Sequence, residues 1–419
     1  MTTISGMGAG MGEAVQDLYD VAVVGAGIVG LAVAREIRAR RPDARLVVID
    51  KQEQVAQHQT GHNSGVIHSG IYYPPGSLKA RLCVAGAREL YSYCEEHGIR
   101  TERNGKVIVA IVEDELDRLD ELQRRGRENG VSGLRRIGPD HLREIEPHAR
   151  GIAALHSPET GVVDFNRVAA SFGADLAERH GQVVTGCTVS SLTPGAGSLT
   201  VEHTGGTTSA RAVIACAGAW SDRLAIACGA PAEPRILPFR GAYLRLAPGR
   251  RELVRANIYP VPDPELPFLG MHLTRRIDGE VLLGPSALLV GARDAYRLER
   301  ISPRDLADTL TWPGTWRLLR EHWHTAVGEL RPAASRKAFI GELRRFVPEL
   351  RAADVLDGPV GVRAQAVARD GSLVDDFVVH RTERAVHVRN APSPAATSSL
   401  ALARLIADEA EGFLWQGAG

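Results

Sequence analysis

The apolar positions of this chain change period several times, and each change marks an element. "YDVAVVGAG" (Tyr19–Gly27) is a short β-branched run ending in glycine, the pattern of a strand buried on both faces. Over "IVGLAVAREIRARR" the period becomes helical. Ile28, Leu31, Ala34 and Ile37 share one face, and Pro42 and Asp43 end the run. "RLVVID" predicts a second buried strand closing at Asp50, which completes a βαβ unit. Two later stretches return to this texture. "RAVIACAGAW" (Arg211–Trp220) reads as a strand and glycine turn, and "AVHVRNAPSPAATSSLALARLIADEAEGFL" as a strand, a Pro/Ser turn and an amphipathic helix. There the pattern puts Ser393 at the helix N-cap and Pro394 at the first helical position.

The intervening segments differ. Glu113 to Arg150 is charged and helical in period, whereas "PFRGAYLRLA" and "GMHLTRRIDGEVLLGPSA" alternate as antiparallel strands, with Asp278-Gly279 as a hairpin turn. This predicts two interleaved domains. A leader covers residues 1–18; a nucleotide-binding layer is visited at 19–105, 151–235 and 346–415; a β-rich substrate domain takes 106–150 and 236–345. A length of 419 residues suits more than one core.

Composition narrows the class. Lys+Arg and Asp+Glu balance at 50 each, so no net field draws in nucleic acid, and none is expected as a partner. Five cysteines without a C-x-x-C suit reduced thiols in a cytoplasmic setting. No apolar run is long enough to span a bilayer. The first residues lack a basic n-region and an apolar h-region, which predicts a disordered leader and no signal peptide. A cytoplasmic location is expected, with peripheral contact at the inner face of a membrane left open to an amphipathic surface helix.

Candidate chemistry begins at the glycines. In "VVGAGIVG", Gly25 permits the tight turn, Gly27 lets backbone N–H groups approach a pyrophosphate, and Gly30 lets helix and sheet pack closely, with Ile28 opening the helix. Asp50, followed by Lys51, ends the second strand where a carboxylate accepts from ribose hydroxyls and disfavours a 2′-phosphate. FAD is favoured over NAD, because a second helix-capping turn near the C-terminus suits the far end of a longer cofactor. "HQTGHNSGVIHSGIYYPPGSLKARL" (His58–Leu82) sets small and hydroxyl residues, Thr60, Gly61, Asn63, Ser64 and Gly65, between His58, His62 and His68. Such a run packs against a flat ligand. A metal site is the rival reading, though no carboxylate or cysteine lies among the histidines; His62 also suits a hydrogen-bonded core position.

These stretches, with "YPVPDPELPFLGMHLTRRIDGEVLLGPSA", "GVRAQ" and "NAPSPAATSSLALA", resemble the L-2-hydroxyglutarate dehydrogenase/oxidase family, a branch of the FAD-dependent D-amino-acid-oxidase-like superfamily. The resemblance runs from about Tyr19 to the C-terminal helix. It implies an α/β fold with α+β insertions: a Rossmann-like FAD-binding domain with an interleaved antiparallel β-rich substrate domain. It also implies noncovalent FAD, oxidation of an L-2-hydroxy acid to its 2-oxo acid, and an electron acceptor that is oxygen, a quinone or a soluble carrier. Val189, the turn at Ala217, Gly218 and Trp220, and Pro394, Ala395, Ala396 and Thr397 become further cofactor contacts. Three features depart from the pattern: the leader, Ser286 where asparagine is expected, and the loose "CAGAW" turn. They leave room for a modified 2-hydroxy acid.

Oxidising such an acid requires a base for the hydroxyl proton and an anchor for the carboxylate. His68 is the first candidate base and His272 the second, each with a core histidine bonded to a carbonyl as the plainer alternative. Arg363, alone in a short apolar run, suits bidentate pairing with the α-carboxylate; a buried ion pair with Asp370, Asp375 or Asp376 is its rival. Tyr259, Thr274, Arg240, Tyr72 and Lys79 are candidates for a distal carboxylate. An amine or amino-acid oxidase of the same fold, or a non-catalytic FAD-binding protein, are the competing functions.

Overall fold

A computed structural model describes residues 18–263, 270–322 and 335–414. All but the last position of the leader expected at 1–18 lies outside the described residues, as does residue 415.

The strand Leu18–Val24 sits at the centre of a parallel array. Leu46–Ile49 lies on one side and Gly206–Ala215 on the other; Gln182–Val184 and Ala385–Asn390 extend it outward. Antiparallel strands Val189–Pro194, Leu199–His203 and Val378–Arg381 complete eight. The helix Ile28–Arg40 packs on this sheet between the helices Phe165–Glu178 and Ser399–Leu414. Leu31, Val33, Ile37, Phe172, Leu402 and Ile406 close that side, while Val24, Val47, Leu192 and Val213 belong to the apolar layer on the other. Parallel strands buried on both faces are why these segments lack alternation.

A nine-stranded second sheet is built mainly from the insertions. Arg235–Leu246 and Val355–Val367 form its long antiparallel ribbon, and His272–Arg275, Asn257–Pro260 and Lys106–Ala110 lie side by side farther along. The expected Asp278-Gly279 hairpin joins His272–Arg275 to Val281–Gly284: Gly279 is at φ 78° and donates to the Arg276 carbonyl at 3.0 Å. Two segments grouped by sequence with the nucleotide layer, Ala153–Ser157 and Val355–Val367, hydrogen-bond into this second sheet. A two-residue strand, Val66–Ile67, lies between the two assemblies in a small third sheet.

One local expectation is corrected. The last helix begins at Ser399, so Ser393 is not its N-cap. Residues 393–398 instead wind through turns in which Ala395 donates to the Pro392 carbonyl and Ser398 to that of Pro394. The Ala395 amide, one of the groups Ser393 was expected to cap, is thus satisfied within the turn.

Candidate active site

One cavity of about 1180 Å³ runs from the front of the first helix to the second sheet. Its far wall is the face of that sheet opposite the apolar core. Val107, Val109, Ile258 and Leu273 point into the core, so by the two-residue period Lys106, Tyr259 and His272 point the other way.

At the near end, Gly27 is extended and caps the first helix without a side-chain bond; the Ile28 amide donates to Thr60 Oγ1 at 3.0 Å. Gly25 holds φ 106°, and a Cβ at Gly30 would collide with the Gly25 carbonyl oxygen. Asp50 accepts from the Ala26 amide at 2.6 Å and the Gln52 amide at 2.8 Å, which orients its carboxylate beside the turn. The Lys51 ammonium lies 2.9 Å from the centre of the Trp220 ring, and burial pushes its pKa down to about 8. Val189, Ala217 and Gly218 complete this end. Here the first-turn amides, the partial positive charge of a thirteen-residue helix and a carboxylate converge on one elongated space. The residues present fit a dinucleotide.

The histidine-rich run divides. His58 bonds Gln52 and Tyr296, whereas His62 Nδ1 meets the Val360 carbonyl at 2.8 Å and its ring stacks on Tyr296 at 4.1 Å. Thr60, Asn63, Ser64 and His68 line the cavity, but Gly65 does not. At φ 78° Gly65 is buried against the Val163 carbonyl, where a side chain would collide, so it shapes the turn from behind. Pro394, Ala395, Ala396 and Thr397 line the cavity opposite, and Thr397 Oγ1 accepts from the His68 amide at 3.1 Å.

His68, His272, Tyr259 and Arg363 are brought to one region of the wall. His272 Nδ1 meets the Gly270 carbonyl at 2.9 Å and its ring stacks on Tyr259 at 4.0 Å. Burial, aided by Lys106 and Arg363, pushes its pKa down to about 4, so the imidazole is neutral at neutral pH. Burial also holds His68 well below the usual range, and its buried Nδ1 has no hydrogen-bond partner among the described residues. Arg363 lies opposite Phe239 in the long ribbon; it sits deep in the protein, and its exposed surface faces the cavity.

Each carboxylate named as a rival partner of Arg363 has a contact of its own. Asp370 takes Ser372, Asp376 takes the Phe377 amide, and Asp375 pairs with Lys79 at 2.7 Å while remaining within electrostatic reach of Arg363. Tyr72 and Lys79 line the cavity, but Thr274 and Arg240 do not. Ser286, the departure noted above, is buried and exchanges bonds with the Ala242 backbone. Sequence reasoning missed Lys106, Tyr73 and Tyr243. Lys106 opens the apolar run "KVIVA", which reads as a solvated charge at a strand end, whereas here it is 1% exposed.

A glycine-turn helix at the edge of a parallel sheet and a cavity crossing from it to a second sheet define the class: a protein built to bind a dinucleotide cofactor. A family model described as FAD dependent oxidoreductase matches residues 20–409. The L-2-hydroxyglutarate dehydrogenase of Nematostella vectensis is 48% identical over 94% of this chain and 90% of its own length. The Homo sapiens protein of that name is 45% identical, covering 94% and 89%; that of Indibacter alkaliphilus is 43% identical, covering 92% and 96%. Among solved structures, FAD-bound L-α-glycerophosphate oxidase from Mycoplasma pneumoniae superposes with a TM-score of 0.76 at 21% identity, covering 94% of this chain and 95% of that one. Glycine oxidase from Geobacillus kaustophilus gives 0.69 at 19%, with the same coverage. The chain belongs to the L-2-hydroxyglutarate dehydrogenase family of FAD-dependent oxidoreductases.

Proposed function

We propose that this protein oxidises L-2-hydroxyglutarate to 2-oxoglutarate with noncovalently bound FAD, as the names of its relatives suggest. The observation that carries the reading is a single cavity lined at one end by the glycine turn and at the other by His68, His272 and Arg363. Gly25, Gly27, Ile28 and Gly30 would hold the pyrophosphate through backbone groups, and Asp50 the ribose. Lys51, Val189, Ala217, Gly218 and Trp220 would surround the nucleoside, while Thr60, Asn63, Ser64 and the turn Pro394–Thr397 flank the remainder. FAD, when bound, supplies the acceptor for the hydride leaving the α carbon.

The side chains supply the rest. Arg363 orients the α-carboxylate through its planar fork. His272, neutral and stacked on Tyr259, takes the hydroxyl proton, and His68 shares this wall of the cavity. Because the imidazole starts uncharged, it accepts that proton without first losing one. Anaerobic addition of L-2-hydroxyglutarate to the yellow holoenzyme is expected to bleach its visible absorbance, with sarcosine and D-amino acids leaving it unchanged. Bleaching by an amine alone would reverse the choice of substrate.

Among the described residues no helix is long and apolar enough to cross a membrane. A surface patch instead suits peripheral contact and a lipid-dissolved quinone acceptor. Leu298, Ile301, Leu306, Leu310 and Trp316 are all exposed, on and beside the helices Pro303–Thr311 and Pro313–Glu321. Exposed Arg297, Arg300, Arg304, Arg317 and Arg320 lie within a few residues of them in the chain, a composition suited to an anionic lipid surface. Co-sedimentation with vesicles containing anionic lipid is expected, and Leu310→Asp with Trp316→Asp should reduce it at least tenfold, on the order of 1.4 kcal/mol or more. Bleaching by substrate should be unaffected. Equal sedimentation of both proteins would remove the patch from this role.

A further inference from the structure

Arg363 lines the cavity near His272 and has been given work to do; a second cation, Lys106, lies behind the Tyr72 and Tyr259 rings that line it. Its strand pairs with Asn257–Pro260, which pairs in turn with His272–Arg275, so Lys106, Tyr259 and His272 come from three neighbouring strands. The Lys106 Nζ lies 4.2 Å from the centre of the Tyr259 ring and 5.1 Å from that of Tyr72, and both rings line the cavity. Among the described residues no carboxylate supports its charge; the Cys83 thiol is the one group that favours it. The Tyr72 hydroxyl is buried and has no hydrogen-bond partner among the described residues.

An ammonium buried this way is costly, and contact with two ring faces offsets only part of the cost. An unsatisfied phenol beside it adds to the imbalance. An anion held against Tyr72 on the cavity side would act on both, accepting from the phenol and placing negative charge near the ammonium behind it. His272 lies within electrostatic reach of both Lys106 and Arg363.

We propose that Lys106 and the Tyr72 hydroxyl form the distal half of a two-carboxylate substrate site, and that Lys106 sets the preference for dicarboxylates over monocarboxylates. Arg363 takes the carboxylate next to the reacting carbon, while Tyr72 donates to the distal one with the Lys106 charge behind it. The inference rests on reading the site as that of a 2-hydroxy acid oxidoreductase and names the substrate class it selects.

Burial pushes Lys106 down to about 7. The groups facing it are Tyr72, Tyr259, His68, His272 and Cys83. Burial pushes Cys83 up to about 12, raises both tyrosines, and lowers both histidines, so all five are neutral near pH 7. Lys79, nearby, is paired with Asp375. Lys106 is charged below its pKa and neutral above it, so the dicarboxylate preference should decline as pH rises through about 7.

The test compares holoenzymes of wild type, Lys106→Met, Lys106→Arg and Tyr72→Phe. L-2-hydroxyglutarate is set against L-2-hydroxyvalerate in flavin reduction, and glutarate against valerate in calorimetric binding. Lys106→Met should lower kcat/KM for the dicarboxylate roughly 10- to 100-fold, mostly through KM, with a matching loss of glutarate affinity. The monocarboxylates should be nearly unchanged, and Lys106→Arg should retain part of the preference. Equal losses for both acids would make Lys106 structural, and an unchanged ratio would remove it from specificity; either overturns the proposal. If Lys106→Met does not fold or hold flavin, the wild-type ratio decides: a flat profile across neutral pH overturns the proposal, and a decline supports it. Should wild type fail to oxidise L-2-hydroxyglutarate yet bind glutarate in a Lys106-dependent way, the reaction assignment falls and this inference stands.

Discussion

Replacing Arg363 with methionine is expected to raise the KM for L-2-hydroxyglutarate by roughly 30- to 1,000-fold, about 2–4 kcal/mol of lost interaction, with flavin content unchanged. The side chain projects from the middle of the long antiparallel ribbon, where register pairs Arg363 with Phe239 and Val367 with Arg235. Its backbone is therefore held on both sides of the substitution, and the change removes a guanidinium without loosening the wall. Because Arg363 sits deep in the protein with its exposed surface on the cavity, a bound carboxylate there is less screened by water than at an open surface, and losing its partner costs more. Arg363→Lys should recover only part of the loss, since an ammonium cannot reproduce two parallel hydrogen bonds. Steady-state kinetics together with the flavin absorbance of the purified variants read both quantities. Loss of flavin with retained KM would assign Arg363 to the cofactor instead.

The second large effect concerns stability. Asp222, fully buried on the helix Ser221–Ala227, binds the guanidinium of Arg293, which is itself 2% exposed; the two make hydrogen bonds through both carboxylate oxygens. The same carboxylate accepts from the Ile236 amide at 2.9 Å, tying the start of the long ribbon to that helix. Asp222→Ala should destabilise the protein by about 3–5 kcal/mol, because it strands a buried cation and a buried amide together. Asp308, 3.5 Å from Arg293, and Asp305 keep the loss toward the lower end of that span. Denaturant unfolding followed by fluorescence measures it; a shift below about 1 kcal/mol would mean that the neighbouring carboxylates fully compensate.

Burial also explains why parts of this site were legible in the sequence and others were not. The glycine turn could be read because steric necessity acts over a few residues. Gly25 must adopt positive φ and Gly30 must leave room for a carbonyl, and both demands are written into adjacent letters. Asp50 follows from the length of a βαβ unit, and the hairpin at Asp278-Gly279 from its turn chemistry. The last helix misled, because Ser-Pro is a strong local start signal. Here a run of turn hydrogen bonds uses up those groups and defers the helix to Ser399.

By itself the chain determined the nucleotide turn, the alternation of parallel and antiparallel segments, and candidates such as His68, His272 and Arg363 for acid–base and anion chemistry, since each shows in its immediate neighbours. Only the tertiary structure decided which of them meet. Tyr259 and His272 line the cavity from adjacent strands, and Lys106, distant in sequence, lies on the next strand behind their wall; Arg240 and Thr274, offered by the sequence as distal-carboxylate candidates, do not line the cavity. The reason is physical: a lysine's charge state and an arginine's reach depend on how much water and which partners surround them, and strand pairing across the whole chain sets both.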